Sequence, residues 1–203
     1  MSEWWAFVQL GFAHIVAWDA ADHGLFLLVL AAIYRGRDWR AALWVISAFT
    51  VGHSLTLALA VTDVLVLPPR IVEFLIPVTI VATGVENLVL REQATSGRYA
   101  RHRPIFAGLF GLVHGAGFAG YLKSLFVERL AMPLFGFNVG IEAGQIVVLV
   151  LAAVVFLMVD AVLHALIPPA RARAGAAFRT RLVLVSAAVV LVASGWAWER
   201  LPR

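Results

Sequence analysis

Long apolar runs constrain this chain more than anything else in it. GFAHIVAWDAADHGLFLLVLAAIY, WVISAFTVGHSLTLALAV and IVVLVLAAVVFLMVDAVLHAL each approach the ~20 residues a helix needs to cross a bilayer. A helix pairs its own backbone groups, so it tolerates hydrocarbon where irregular chain does not. Only 14% of the residues are charged and 62% are hydrophobic, whereas a soluble domain carries about 25% charge. A transmembrane β-barrel would show short alternating segments instead. The expected fold class is all-α: a polytopic transmembrane helical bundle forming a single domain over 1–203.

Six spans are expected, at about 8–34, 40–62, 70–91, 104–127, 137–166 and 181–199. Pro68-Pro69 and Pro168-Pro169 mark two of the ends, because proline cannot continue a helix ladder. Segments 92–103 and 168–180 read as polar loops. Arginines alternate by side. Arg35, Arg37 and Arg40 follow the first span. Arg91, Arg98, Arg101 and Arg103 follow the third, and Arg171, Arg173, Arg179 and Arg181 follow the fifth. These are eleven of the 16 basic residues. The positive-inside rule then makes those loops cytoplasmic and both termini outward, periplasmic in a bacterial inner membrane. The net charge of +4 is thereby a matter of topology, and no nucleic-acid partner is expected. Trp4, Trp5, Trp39, Trp44, Trp196 and Trp198 lie near span ends, as interfacial anchors do. No secretory signal is evident in MSEWW, which lacks a basic start. With no cysteine, thiolate metal sites are excluded.

Ionisable groups are costly in hydrocarbon, so an intramembrane cluster of them points to function. His14, Asp19, Asp22 and His23 fall within ten residues of the first span. Imidazoles and carboxylates together suit a divalent transition metal. Asp19 and His23 share a helix face, with Asp22 beside it. His14 lies about half a turn away on an unbroken helix, so it joins them only if the helix breaks near Trp18–Ala21 or another span brings a shared ligand.

Further spans add candidates. His53 lies in a polar stripe with Thr50 and Ser54. His114 lies in the glycine-rich FAGLFGLVHGAGFAGYL, whose Gly111/Gly115 pair permits close helix packing. Glu73 precedes Pro77 by four residues, which frees the Glu73 carbonyl. Asn138, Glu142 and Gln145 share a face of the fifth span. Deeper, toward the cytoplasmic end, are Glu86, Asn87 and an Asp160/His164 pair. The expected metal ligands are His14, Asp19, Asp22, His23, His53 and His114. Glu73, Glu142, Glu86, Asn87, Asp160 and His164 are candidates for the same site or for a pathway leading inward.

Several segments resemble the HupE/UreJ family of membrane proteins, which is linked to nickel supply for hydrogenase and urease. They are HIVAWDAADHGLFLL, FTVGHSLTL, VEFLIPVTI with the later EN of span three, FGLVHGAGFA and FNVGIEAGQ, running from about residue 11 to 146. Two of them are also similar to motifs of nickel/cobalt permeases. The FxxGHS element is met by Phe49, Gly52, His53 and Ser54. WDAADH approximates a His-x-Asp/Asn-Ala-Asp-His element, with Trp18 where that motif has histidine and His14 four residues upstream as a substitute. The long extramembrane N-terminal region of some relatives is missing from this sequence.

The resemblance implies a permease for Ni²⁺ or Co²⁺, with the metal ion as substrate and the bilayer as surroundings. Zn²⁺, Fe²⁺ and Cu²⁺ stay open, because mixed N/O sites overlap in affinity. A homo-oligomer is compatible with the sequence but not required by it. No Walker A motif is present, so ATP hydrolysis within the chain is not expected. Two rival readings are an intramembrane metalloenzyme, with histidines and a carboxylate holding Zn²⁺ or Fe²⁺, and a haem-binding electron carrier with histidine axial ligands. Neither HExxH nor GxSxG is present to support a hydrolase.

Overall fold

The apolar runs fold as helices. The computed structural model describes residues 3–17, 20–90, 97–123, 131–166 and 175–202. Its helices are α1 (Glu3–Val16), α2 (Ala21–Ala32), α3 (Trp39–Val61), α4 (Pro69–Leu90), α5 (Gly97–Lys123), α6 (Ala131–Leu166) and α7 (Ala176–Glu199). A 3-10 turn, Gly36–Asp38, leads into α3. Among the described residues there is no strand.

Among the described residues, four helical stretches are long and apolar enough to cross a membrane: Gly36–Val61, Pro69–Leu90, Ala131–Leu166 and Ala176–Glu199. A fifth is gained if α1 and α2 are taken together as one span. The chain is therefore a multi-pass membrane protein, with four or five such spans among its described residues against the six expected. The predicted fourth span, α5, is not among them, although it packs closely along α3.

The first predicted span is broken. α1 ends at Val16, α2 starts at Ala21, and their axes differ by 69°. At ~1.5 Å per residue neither half alone crosses ~30 Å of hydrocarbon. α2 lies against α4, α6 and α7, and buries Phe26, Leu27, Val29, Leu30 and Ala32 among them. A helix apolar on every side belongs at the centre of a bundle. Outward, α6 exposes Val150, Leu151, Val154, Leu157 and Met158, a face suited to lipid.

Close backbone approach sets two of the helix pairs. A Cβ at Gly115 would meet the His53 carbonyl, and one at Gly111 would meet the Phe49 carbonyl, so α5 lies directly on the backbone of α3. The GxxxG expectation holds here for a physical reason: only hydrogen fits between the two chains. Gly11 and Gly140 serve the α1–α6 pair in the same way.

The polar loops are shorter than expected. α5 already starts at Gly97 and runs through Pro104, and α7 starts at Ala176. Arg98, Arg101, Arg103, Arg179 and Arg181 are thus helical, not loop, residues. Arg103 and Arg181 are also buried, at 4% and 2% exposure. Positive-inside counting registers charge and not depth, so it treated both as solvated.

Candidate metal site

The break between α1 and α2 turns His14 back onto His23. Their ring centroids are 4.7 Å apart, although nine residues of straight helix would have set them on opposite faces. α3 brings His53 to the same point, 6.2 Å from His14 and 6.3 Å from His23 by ring centroid. One nitrogen from each of His14, His23 and His53 lies within 4.8 Å of the others. His53 is fully buried and neither of its nitrogens has a partner. Nε2 of His14 and Nε2 of His23 are also buried without one. A buried, unpaired imidazole nitrogen is costly, and three together form a ligand set in want of a cation.

Neighbouring groups fix which imidazole lone pairs are left free. Asp22 Oδ1 lies 3.0 Å from His23 Nδ1 and also accepts the His23 backbone N–H at 2.8 Å. A carboxylate only accepts, so it holds the proton on Nδ1 and leaves the Nε2 lone pair bare. This is the carboxylate–histidine arrangement that accompanies metal-binding imidazoles. Asp22 therefore acts on the site through His23 and is not itself one of the three converging groups.

His114 is set by the same logic. Its Nε2 lies 3.1 Å from Thr79 Oγ1, and that hydroxyl donates its one hydrogen to the Ile76 carbonyl at 2.7 Å. Thr79 can then only accept from His114, so Nε2 carries the proton and Nδ1 keeps its lone pair. Nδ1 is buried and unpartnered. His114 sits outside the three-histidine group, with its ring 5.2 Å from that of His23. Thr79 is the site residue that sequence reasoning missed. Its only signal is a hydroxyl in the middle of an apolar span.

Aromatic rings close the site. Phe118 of α5 lies 3.9 Å from the His14 ring and stacks on Phe137 of α6 at 5.5 Å. Phe49 flanks His53 and His114. Such walls exclude water and so strengthen ion–ligand interactions.

The remaining candidates lie in other settings. Asp19 is outside the described residues. Glu142 accepts from Ser47 at 2.6 Å, and Gln145 accepts from Thr50 at 2.9 Å, so this α6 face ties the helix to α3 one turn from His53. Glu73 is exposed on α4. Glu86 pairs with Arg103 at 3.6 Å. Asn87 is fully buried, accepts from Arg103 at 3.1 Å and donates to the Val29 carbonyl at 2.7 Å. Asp160 accepts from Arg181 at 2.8 Å. His164 is exposed. Three of the four inner candidates are thus bound to buried arginines, which sequence patterning did not foresee.

Comparison with known families decides the kinship. The family described as HupE / UreJ protein matches residues 1–200, nearly the whole chain. The chain belongs to the HupE/UreJ family. No curated protein and no solved structure gives a significant match. In this HupE/UreJ protein, three of the five segments behind the resemblance carry the histidines: the one spanning α1 and α2, the FxxGHS stretch of α3 and the glycine-rich α5.

Proposed function

We propose that this HupE/UreJ protein is a membrane permease for a divalent transition metal, Ni²⁺ or Co²⁺, held in transit by intramembrane histidines. The observation that carries the reading is the convergence of His14, His23 and His53, whose buried nitrogens lack protein partners. Nitrogen donors suit late first-row divalent ions, and the family's link to nickel supply favours nickel or cobalt among them. In this reading Asp22 orients His23, while His114 waits beside the triad as a further ligand. Inward passage leads past Glu86 and Asn87, then Asp160 and His164, and requires Arg103 and Arg181 to release their carboxylate partners. The protein sits in the bacterial inner membrane with its arginine-rich end in the cytoplasm and both termini outside.

One rival is supported by a specific observation. Three imidazoles with an open fourth position also describe a catalytic zinc centre. The two readings differ in how the metal is held. Nitrogens bound at 2.0–2.1 Å to a tetrahedral ion lie about 3.4 Å apart, a spacing that groups within 4.8 Å of one another suit in either role. Metal analysis of purified protein together with radiolabelled uptake in cells tests the proposal. Exchangeable Ni²⁺ or Co²⁺ is expected, with uptake lost in His23→Ala. Tightly held stoichiometric zinc, or uptake indifferent to His23→Ala, would refute it.

A further inference from the structure

α2 carries His23 at one end, and at its other end it stops at Ala32 inside the bundle. Val29, Ala32 and Asn87 are fully buried there. The last four carbonyls of a helix, here Val29 to Ala32, lack partners within it. Away from water they need partners from elsewhere. Ala31 accepts the Tyr34 N–H at 3.1 Å. Val29 and Ala32 are served by side chains of other helices. Asn87 Nδ2 of α4 donates to the Val29 carbonyl at 2.7 Å, and Arg181 Nη1 of α7 donates to that of Ala32 at 3.0 Å.

The chemistry required at position 87 is narrow. A guanidinium only donates, and Arg103 Nη2 gives a hydrogen to Asn87 Oδ1 at 3.1 Å. A carbonyl only accepts, so Val29 takes the amide nitrogen. Ser186 Oγ of α7 lies 3.4 Å from the same nitrogen. One amide thus joins α2, α4, α5 and α7. Aspartate at 87 would still accept from Arg103 but would set an oxygen against the Val29 carbonyl. Leucine would leave both the carbonyl and Arg103 without this partner.

The bond also fixes a register. α2 and α4 meet again at the histidines, where the His23 ring lies 5.2 Å from that of His114, and His114 bonds Thr79 of α4. Val29 is six residues after His23, about 9 Å along α2, and Asn87 is eight after Thr79, about 12 Å along α4. A Cβ at Gly84, one turn before Asn87, would stand 3.6 Å from a Val29 methyl, so the two helices touch at this level. α1 does not continue α2, because their axes differ by 69°. It therefore does not fix where α2 sits along its own axis.

We propose that Asn87 is a positioning residue of the metal site. Its bond to Val29 sets the place of α2 along α4, and through it the reach of His23 Nε2 toward His14 and His53. The inference rests on the triad being the metal site. Metal ligands need placing to about 0.5 Å, a third of the ~1.5 Å rise of one helical residue, so a small slide of α2 is enough to spoil the set.

The full-length protein, purified in a mild detergent, is titrated with Co²⁺, whose visible absorption bands report the geometry of its ligands. Wild type is expected to bind Co²⁺ with one defined band pattern. Asn87→Asp, which keeps the shape of the side chain, and Asn87→Leu should both shift the bands. Both should also weaken Co²⁺ about tenfold, the low end of the effect of losing a group that orients a metal ligand. Ser186→Ala removes only the longest bond of Asn87. Whatever its effect on Tm, it should leave affinity and bands as in wild type, which separates placement of His23 from stability. Bands and affinity unchanged in Asn87→Asp, with Co²⁺ bound in wild type, would overturn the proposal and leave the triad standing. Equal shifts in Ser186→Ala and Asn87→Asp would also overturn it, since the effect would then follow packing alone. If wild type binds no Co²⁺, or His23→Ala binds it equally well, the triad reading falls and this inference with it.

Discussion

His23 divides its two nitrogens between two tasks. Nδ1 is held by Asp22, and Nε2 is buried with no partner, which is where the proposed ion would bind. Asp22→Asn keeps an oxygen near Nδ1 but removes the charge that favours the proton there. Metal affinity is expected to fall about 10–100-fold, the usual effect of losing such a supporting carboxylate, with the fold intact. Isothermal titration against circular dichroism separates the two outcomes, and unchanged affinity would show that Asp22 is only packing. His53→Ala is the harsher change, because it removes a proposed ligand whose ring nitrogens have no hydrogen-bond partner, and uptake should vanish. Thr79→Val probes His114. Valine fills the same volume but cannot accept, so the His114 proton is no longer fixed on Nε2. A several-fold rise in metal Kd is expected, and a rise as large as that in His53→Ala would place His114 inside the triad.

Between α3 and α5 the packing tolerates no added carbon. Gly115→Ala puts a methyl into the His53 carbonyl, and both partners are backbone, so no side chain can swing aside. The helices must separate, at a cost of about 1–3 kcal/mol, and His53 and His114 move apart with them. Thermal unfolding should fall by several degrees and metal binding should weaken together. Gly120→Ala is the control, since nothing stands near that Cβ. This contact was legible in the sequence because a GxxxG spacing has one geometric meaning. The break in the first span was one of two readings left open by a histidine set half a turn off its neighbours, the other being a shared ligand brought by another span. Which groups pair was not. Asp22 and Asp19 have the same chemistry and similar positions, and spacing alone gave both as ligands, yet Asp22 turns its oxygen to the ring of the next residue. The buried arginines were hidden for a related reason. Arg103 and Arg181 occur next to basic loops, and only the folded chain shows them turned inward to Asn87, Glu86 and Asp160.

Across the whole molecule, the triad draws on the two halves of a broken span and on a separate helix. α1 is packed on α6, α2 is central, and α3 is packed on α5. An ion held by His14, His23 and His53 therefore ties together parts that otherwise meet only through apolar contacts and a few polar bonds. Metal binding should stabilise the native bundle against unfolding by RT ln(1 + [L]/Kd), about 2.7 kcal/mol at a hundredfold excess over Kd. In detergent this appears as a rise in Tm with added Ni²⁺ or Co²⁺ that is reversed by a chelator. The rise should be absent in His53→Ala and smaller in Asp22→Asn, following the loss of affinity. It should survive in Arg35→Gln, whose guanidinium lies at the other end of α2. A metal-dependent Tm shift that persists in His53→Ala would mean the ion binds outside the triad, and would remove the geometric basis for transport through it.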